Sequence, residues 1–536
     1  MKAVLIMPRV SFYRGYEDSF GFSPIPYGLL QLGGCLISRG DQVKVIDQEV
    51  GEMSNWKVIR EAMSFNPDIV GISLHATAGY KNAVAIAKGI KEQDRGVTLI
   101  AGGHHATFVP YQLLREGFDI VVRGEADETI MEIAERLEKR ESLRDVRGIV
   151  YKEREGEVFE GAPRPLIQDL DKLPMPAFHL IDKRKYRIKV IDENGYLAAM
   201  ETARGCPYSC DFCSVTPTWG HKWRNKSNRR ILKELEAIKG LGYDWVFFVD
   251  DIFIVWPNIR QRMNLFNQML ERELKVNFLA QMRVDVTAMN PEVIKMASEA
   301  GLRVAFLGVE SGSERVIKEM HKGIRSDQAF RAVKVLNDNG VIVFLGMILG
   351  APYENLHDLI STISYSYKLS DVGADGVQFS IYTPLPGTRV FHNAISKGEL
   401  FTLDWEYYDL LRPVMRTKVN PILIQLLAVL GNHTFYLRKY LKGKLLALIG
   451  KKVRIDPRKE FYLRNAERYF LKNLYKYIFR TLKLPISMIE TLILMQGWKS
   501  KRDKEKEIAK EVANFSSKIV YLEEKDKNPY FNIKTE

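Results

Sequence analysis

Apolar and polar positions along the first 140 residues follow two alternating periods. Short runs of β-branched and aliphatic side chains predict strands at Lys2 to Met7, Gln42 to Ile46, Asp68 to Ser73, Thr98 to Ala101 and Asp119 to Val122. Between them, apolar-rich stretches predict helices over Tyr27 to Ser38, Trp56 to Phe65, Tyr80 to Glu92 and Glu128 to Lys139. Such alternation predicts an α/β fold with a doubly wound parallel sheet, of flavodoxin or Rossmann type, whose ligands bind beyond the carboxyl ends of the strands. The loops after Met7, Ser73 and Ala101 therefore belong to a ligand face, and the last of them opens with Gly102-Gly103.

The pattern changes between residues 141 and 195. Gly148 to Tyr151 and Val158 to Phe159 bracket a charged turn and predict a hairpin, followed by the proline-rich Leu173-Pro-Met-Pro-Ala-Phe178, so this stretch reads as a connector between two bodies. From about 196 to 395 the alternation resumes, with strands predicted at Leu197 to Glu201, Trp245 to Val249, Asn277 to Gln281, Arg303 to Leu307, Ile342 to Met347 and Gly376 to Ser380. Polar motifs collect at the strand ends. Asp250-Asp251 follows the second strand, Arg283 and Asp285 the third, Gly308-Val-Glu310-Ser311-Gly312 the fourth, and Gly346-Met-Ile348-Leu-Gly350-Ala-Pro-Tyr-Glu354 closes the fifth. A single glycine or carboxylate there is more often a turn or helix cap than a ligand; recurrence in register is the signal.

Beyond Leu400 the strands stop. Pro421 to Leu430, His433 to Ile449, Phe461 to Leu482 and Ile486 to Trp498 read as helices, and the mixed-charge run from Lys499 to Lys510 as a solvated one. Charge changes the picture here. Residues 401–536 hold 28 Lys and Arg against 15 Asp and Glu, whereas residues 1–400 hold 51 of each, so the whole net charge of +13 belongs to the last quarter. Within residues 411–500 the count is 19 basic to 4 acidic. A helix such as Phe435 to Ile449 can bury an apolar face while its lysines meet anionic headgroups, at about 1 kcal/mol per charge. A helical cap with merely solvated lysines and an RNA-binding face are the other readings.

At 536 residues the chain makes two to four domains, divided here as 1–140, 141–195, 196–395 and 396–536. MKAVLIMPRV is too short and strand-like for a signal peptide, and no apolar run reaches the roughly 18 residues of a membrane span. Four cysteines give no disulfide framework and imply a reducing interior, and Cys35, alone in an apolar helical run, reads as a small buried hydrophobe. The other three lie in Glu201-Thr-Ala-Arg-Gly-Cys206-Pro-Tyr-Ser-Cys210-Asp-Phe-Cys213, spaced C-x3-C-x2-C. Three thiolates this close can wrap one iron-sulfur cube and leave its fourth iron without a protein ligand. A structural zinc would want a fourth Cys or His nearby, and the nearest histidine, His221, is eight residues beyond Cys213.

This spacing, with an aromatic residue before the third cysteine, resembles the signature of the radical SAM superfamily. The resemblance implies a [4Fe-4S] cluster on Cys206, Cys210 and Cys213, S-adenosylmethionine (SAM) chelated to the open iron and cleaved to a 5'-deoxyadenosyl radical, and a partial (β/α)6 barrel with its chemistry at the strand ends. Phe212 would pack over the cluster or adenine, Arg283 pair with the methionine carboxylate, Glu310 and Ser311 hold ribose or amino groups, and Gly346, Ile348 and Gly350 flank the adenine. Asp250, Asp251 and Tyr382, the last in Tyr382-Thr-Pro-Leu-Pro-Gly-Thr388, are catalytic or substrate candidates.

The N-terminal loops resemble the cobalamin-binding domain found before many such cores. Ser73 and Leu74, Gly102 and Gly103, His104 and His105, and Glu125 in Arg123-Gly-Glu-Ala-Asp-Glu-Thr129 match its contact positions. The D-x-H-x-x-G element that supplies a lower histidine to cobalt is absent after the first strand, where a polar, aromatic loop runs from Ser11 to Pro26. Cobalamin would therefore bind with its own base displaced and without that histidine. A plain flavodoxin-like domain without a corrin is the bland alternative.

Together these features predict a cobalamin-dependent radical SAM enzyme that functionalises an unactivated carbon, by C-methylation of a hydrophobic or lipid substrate. Non-methylating ring closure on the same scaffold is the runner-up. A cobalamin-binding redox sensor and an RNA-modifying enzyme are alternatives, although tRNA methylthiotransferases carry N-terminal cysteines and only Cys35 lies there. A ferredoxin or flavodoxin would supply the electron. The expected location is the cytoplasm, with peripheral attachment to the inner membrane face.

Overall fold

A computed structural model of the chain describes residues 1–10, 22, 25–153, 156–448, 455–475, 482–497 and 508–512. The loop from Ser11 to Pro26 and the run from Lys499 to Lys510 lie mostly outside these residues. The first body is a seven-stranded sheet: β1 (Lys2–Met7), β2 (Gln42–Asp47), β3 (Ile69–Ser73), β4 (Thr98–Gly102), β5 (Ile120–Val122), β6 (Ile149–Lys152) and β7 (Val158–Glu160), in the order β2-β1-β3-β4-β5-β6-β7. The first five are parallel, with helices Tyr27–Ser38, Asn55–Met63, Tyr80–Gln93 and Asp127–Lys139 between them. Ala3 to Ile6 of β1 are all buried, as a central strand covered on both faces requires. The strand order reverses between β1 and β3, which puts the crevice for a ligand above those strands. The hairpin β6–β7 pairs antiparallel with β5 and so extends this sheet.

The second body has β8 (Arg187–Ile188), β9 (Asp192–Met200), the two-residue ribbon β10 (Ala203–Arg204) with β11 (Arg224–Asn225), then β12 (Trp245–Phe248), β13 (Asn277–Arg283), β14 (Leu302–Glu310), β15 (Ile342–Leu349) and β16 (Gly376–Ile381). Six strands, β9 and β12 to β16, run parallel in chain order and curl into a half-barrel, with β8 antiparallel at one edge.

A half-barrel leaves an open edge at β16, and the C-terminal region closes it. Helix Pro421–Leu448 lies along β16. Its Tyr436 hydroxyl accepts from Val377 N and donates to Val377 O, and Asn432 Oδ1 accepts from Phe379 N, so side chains satisfy the edge backbone. The break expected between Leu430 and His433 is absent. Gly431 sits where a Cβ would lie 3.1 Å from the Phe379 ring, so the helix runs through that point pressed against the strand. The basic side chains here are not simply presented to solvent. Arg438 and Lys442 pair with Asp371, and Lys439 with Asp375. Helix Pro457–Lys472 covers the amino-terminal end of the half-barrel. There Tyr462 meets Trp245 edge-on at 5.3 Å, and buried Lys459 bridges Asp375 and Asn337. Among the described residues no helix is long and apolar enough to cross a membrane.

Candidate active site

The cysteine loop spans residues 205–223 between β10 and β11. Gly205 has φ +88°, and a Cβ there would overlap the Lys222 carbonyl oxygen, so the loop can close over itself only at glycine. Cys213 N donates to Cys210 O, Asp211 N to Met320 O, and the Arg283 guanidinium stacks 3.6 Å from the Tyr208 ring centre. Burial, followed by neighbouring thiols and Asp251, pushes Cys206 up to about 12 and Cys213 higher still. Such thiols stay protonated until a cationic metal group replaces the protons. Among the described residues no three His, Cys, Asp or Glu side chains converge on a single metal ion, and cube thiolates each bind a different iron. The site fits a cluster: three thiols on one glycine-closed loop, with Arg283 and Lys322 in electrostatic reach of Cys210 to offset thiolate charge.

The fourth strand delivers the site's main ion pair. The ladder shifts register between Gly308 and Glu310, and Glu310 takes φ +66°, a costly conformation for a non-glycine residue. That turn aims its carboxylate at Lys322, whose Nζ donates at 2.6 Å while lying 5.9 Å from the Phe212 ring. A Cβ on Gly308 would sit 2.8 Å from Glu310 Oε1 and 3.0 Å from Lys322 Nζ, so Gly308 makes room for the pair. Burial alone would lower the Lys322 ammonium, but Glu310 and Cys210 outweigh it and hold it above the ordinary range. Lys322 follows a helix and carried no sequence signal of its own.

Several expected contacts are redirected. Ser311 is fully buried with its hydroxyl 2.8 Å from Thr362 Oγ1, so it orients the turn. Arg283 is not free for a two-pronged carboxylate grip. Its Nη2 donates to the Lys322 carbonyl, and its Nε lies 2.7 Å from Asp285 Oδ1 without hydrogen-bond alignment. Asp250 is wholly consumed: it accepts from Thr202 N at 2.6 Å and Ala203 N at 3.1 Å and pairs with buried Arg262, tying β12 to the chain after β9. Asp251 remains in place beside the thiols, where burial, then Asp250 and Glu201, push its carboxyl up to about 7.

Gly346 faces Gly308 across β14 and β15, and the half-buried Phe306 and Phe344 stack 5.6 Å apart one layer below. Ile348 lies one layer above, two residues along β15. Gly350 takes φ +92°, and its N–H and that of Ala351 donate to Glu354 Oε2 at 2.6 and 2.8 Å. Burial pushes Glu354 up to about 7. Tyr382 is buried, its ring 6.1 Å from Phe212 and 6.4 Å from Tyr353.

The first sheet's ligand face is made mainly of backbone. Leu74 N donates to Gly102 O and His105 N to Leu74 O, drawing the loops after β3 and β4 together. Gly103 has φ +105°, and a Cβ on it would lie 2.8 Å from the Leu74 carbonyl carbon. Ser73 is half-buried at the strand end, opposite Gly102, whereas the Leu74 side chain is core and offers only its backbone. His104 turns toward the cysteine loop, with Nδ1 3.1 Å from Thr218 Oγ1 and its ring edge-on to Trp219 at 5.5 Å. His105 is packed between Tyr80 and Trp405 with neither ring nitrogen hydrogen-bonded. Burial lowers His75 and His104 to about 4 and His105 to about 3, so all three are neutral at pH 7. Glu125 is not on this face. Its carboxylate is buried between Arg204 and Arg224.

Comparison with known proteins decides what this pair of faces is. Residues 13–134 match the B12 binding domain family and residues 200–365 the Radical SAM superfamily. An uncharacterized methyltransferase of Pyrococcus horikoshii is 32% identical over 421 residues, covering 78% of this chain and 88% of that protein. This chain is a cobalamin-dependent radical SAM enzyme. Its cofactors are cobalamin, a [4Fe-4S] cluster and SAM. The hopanoid C-3 methylase of Methylococcus capsulatus is 27% identical over 74% of this chain and 73% of its own length. The anaerobic magnesium-protoporphyrin IX monomethyl ester cyclase of Rubrivivax gelatinosus is 26% identical over 88% and 83%. In fold, the enzyme is similar to the radical SAM methyltransferase TsrM from Kitasatospora setae, with TM-score 0.61, 17% identity and 74% and 75% coverage. It is likewise similar to the cobalamin-dependent OxsB, with TM-score 0.61, 17% identity and 97% and 84% coverage.

Proposed function

We propose that this enzyme transfers a methyl group to an unactivated carbon of a hydrophobic, lipid-like substrate taken from an anionic membrane surface. The supporting observation is where apolar surface is left open. Of 25 exposed large hydrophobic side chains among the described residues, 16 fall between Leu430 and Ile493. Leu437, Leu441, Leu445 and Leu448 form one stripe of helix Pro421–Leu448, and Ile486, Ile489 and Ile493 another on helix Leu484–Gly497. That last helix docks through Ser487 and Thr491 on Gln425, one residue from Ile424, which packs against Gly350 at the catalytic strand end. An apolar helix beside that strand end, in the region that carries the whole net positive charge, suits a bilayer surface. The likeness to a hopanoid methylase agrees with this substrate class.

Bound together, the cluster and SAM supply a carbon-centred radical and cobalamin supplies the methyl group. The chain's own residues position and insulate. Cys206, Cys210 and Cys213 would hold the cluster; Lys322 and Glu310 would set the charge beside it; Phe212, Ile348 and Gly346 would shape the wall for adenosine, with Phe306 and Phe344 stacked below. Asp251, with its pKa near 7, can hold or release a proton beside the cysteine loop.

Ring formation is the second reading, favoured by the likeness to the anaerobic cyclase over most of both chains. Anaerobic turnover with methyl-labelled SAM and a membrane lipid extract, followed by mass analysis, separates the two. A lipid gaining one labelled methyl is the expected result. Release of 5'-deoxyadenosine with no label in any lipid, together with a cyclised product when a porphyrin ester is supplied in place of the lipids, would overturn methylation. Replacing Ile486, Ile489 and Ile493 by Glu should abolish sedimentation with anionic vesicles and leave iron content unchanged.

A further inference from the structure

Where the two bodies meet, four charged side chains, Arg204, Arg224, Glu125 and Asp127, are buried together, with the partly buried Glu201 beside them. Arg204 Nη1 lies 2.7 Å from Asp127 Oδ2 and 3.1 Å from Glu125 Oε1, its Nη2 lies 3.1 Å from Asp127 Oδ1, and its Nε lies 2.9 Å from Glu201 Oε1. Arg224 Nη1 lies 2.8 Å from that same Glu125 oxygen and donates to Ile167 O at 2.6 Å, while the second Glu125 oxygen accepts from Ile167 N at 2.6 Å. Glu125 and Asp127 belong to the first sheet's last parallel loop and the start of its following helix. Arg204 and Arg224 face each other across β10 and β11 and are the two stems of the cysteine loop.

Two arginines directly opposite on an antiparallel ribbon repel unless a carboxylate lies between them, and Glu125 fills that place from the other body. A buried ion cluster is a poor source of stability, because desolvation offsets most of its attraction, and apolar packing would join two bodies as firmly. Planar guanidinium forks, however, admit few geometries when they bind carboxylates with both prongs. On another side of the same loop, His104 contacts Thr218 and Trp219, so the loop is held against the first body at its stems and just beyond its last cysteine.

We propose that Glu125 and Asp127, acting through Arg204 and Arg224, are positioning residues that register the cysteine loop against the corrin-binding face and thereby fix the separation of cluster and cobalt. They touch neither cofactor in this reading. Their effect is on distance, and a misplacement of about 1 Å at a reacting centre can cost roughly 100-fold in rate.

The test is a distance measurement on the loaded enzyme, by pulsed electron paramagnetic resonance between cob(II)alamin and the reduced cluster. The wild-type protein should give one narrow distance. Asp127→Asn, which weakens half of the fork, and Arg204→Lys, which abolishes it, should shift or broaden that distance by more than about 1 Å while keeping full iron and cobalamin content. Ile133→Val, a core change in the same body, should lower the melting temperature and leave the distance unchanged. Unaltered distances in both fork variants would overturn the proposal, whatever their stability. A second measurement needs no variant. Adding hydroxocobalamin to the cluster-loaded wild-type protein should slow hydrogen exchange across residues 203–226, and no change there would also overturn it.

Discussion

The two ligand faces of this enzyme are built on the same plan, parallel strands ending in loops, yet they offer opposite chemistry. The first sheet presents backbone: Gly103 at φ +105°, the Leu74 and Gly102 carbonyls, and histidines kept neutral by burial. The half-barrel presents charge: Lys322 against Glu310, Arg283 against Asp285 and Tyr208, and Asp251 beside three thiols. A large, nearly neutral corrin asks for shape. A small anionic thiolate cluster with a zwitterionic ligand asks for fixed charges in a site of low polarity, where an unpaired ion is costly.

The largest effects should come from breaking one face and leaving the other whole. Cys210→Ala should remove the cluster, taking iron from about four per chain to near none, with cobalamin binding retained. Gly103→Val should do the reverse, because its side chain would collide with the Leu74 carbonyl group. Cobalamin retained at wild-type affinity in Gly103→Val would break the contrast, as would a wild-type count of about eight irons.

Lys322→Met should follow in size. It strands the Glu310 carboxylate without its partner in a buried position, at a cost of about 3–5 kcal/mol in chemical unfolding, whereas Glu310→Gln with Lys322→Met together should recover much of it. Additive losses in the double variant would show that the two side chains are not coupled.

A smaller effect concerns pH. The folded-state pKa of Asp251, about 7, lies above its unfolded value near 4. The stability contributed by its protonated form is therefore complete below about pH 4 and is lost as pH rises through 7. In the cluster-free protein Asp251→Asn should flatten that slope and be more stable than wild type at pH 8 by about 2 kcal/mol, a figure reduced for its partial exposure. Identical slopes would place the titration elsewhere.

The smallest expected change is at the histidines. Cob(II)alamin bound to the wild-type enzyme should show no nitrogen splitting from a protein axial ligand, and His104→Ala and His105→Ala should leave its spectrum as it was. Splitting that disappears in either variant would make the corrin face a ligand-donating one after all.

Much of this architecture was legible from residue order. Every predicted strand of both sheets forms within a few residues of its expected bounds, because runs such as Ala3 to Ile6 are too apolar to lie anywhere but inside a sheet. The cysteine spacing pointed to a [4Fe-4S] cofactor, which the family bears out, since three thiols on one short loop encode their own geometry. Side-chain direction was not legible. Asp250 and Asp251 are neighbours with the same chemistry, yet one is spent on Thr202, Ala203 and Arg262 and the other faces the thiols. Ser311 points inward where a contact to ligand was expected, and Glu125 reaches across to Arg204 and Arg224.

The basic C-terminal region divides in the same way. Its helices and its charge are properties of the sequence, and so is the neutrality of the first 400 residues. Only the folded chain decided that Arg438, Lys439 and Lys442 would pair with Asp371 and Asp375 of the half-barrel, and that leucine and isoleucine stripes would be left exposed. Period and spacing are local and survive in a linear string. The partner that a charge or a hydroxyl finds is set by residues tens to hundreds of positions away, brought within 3 Å only when strands and helices pack.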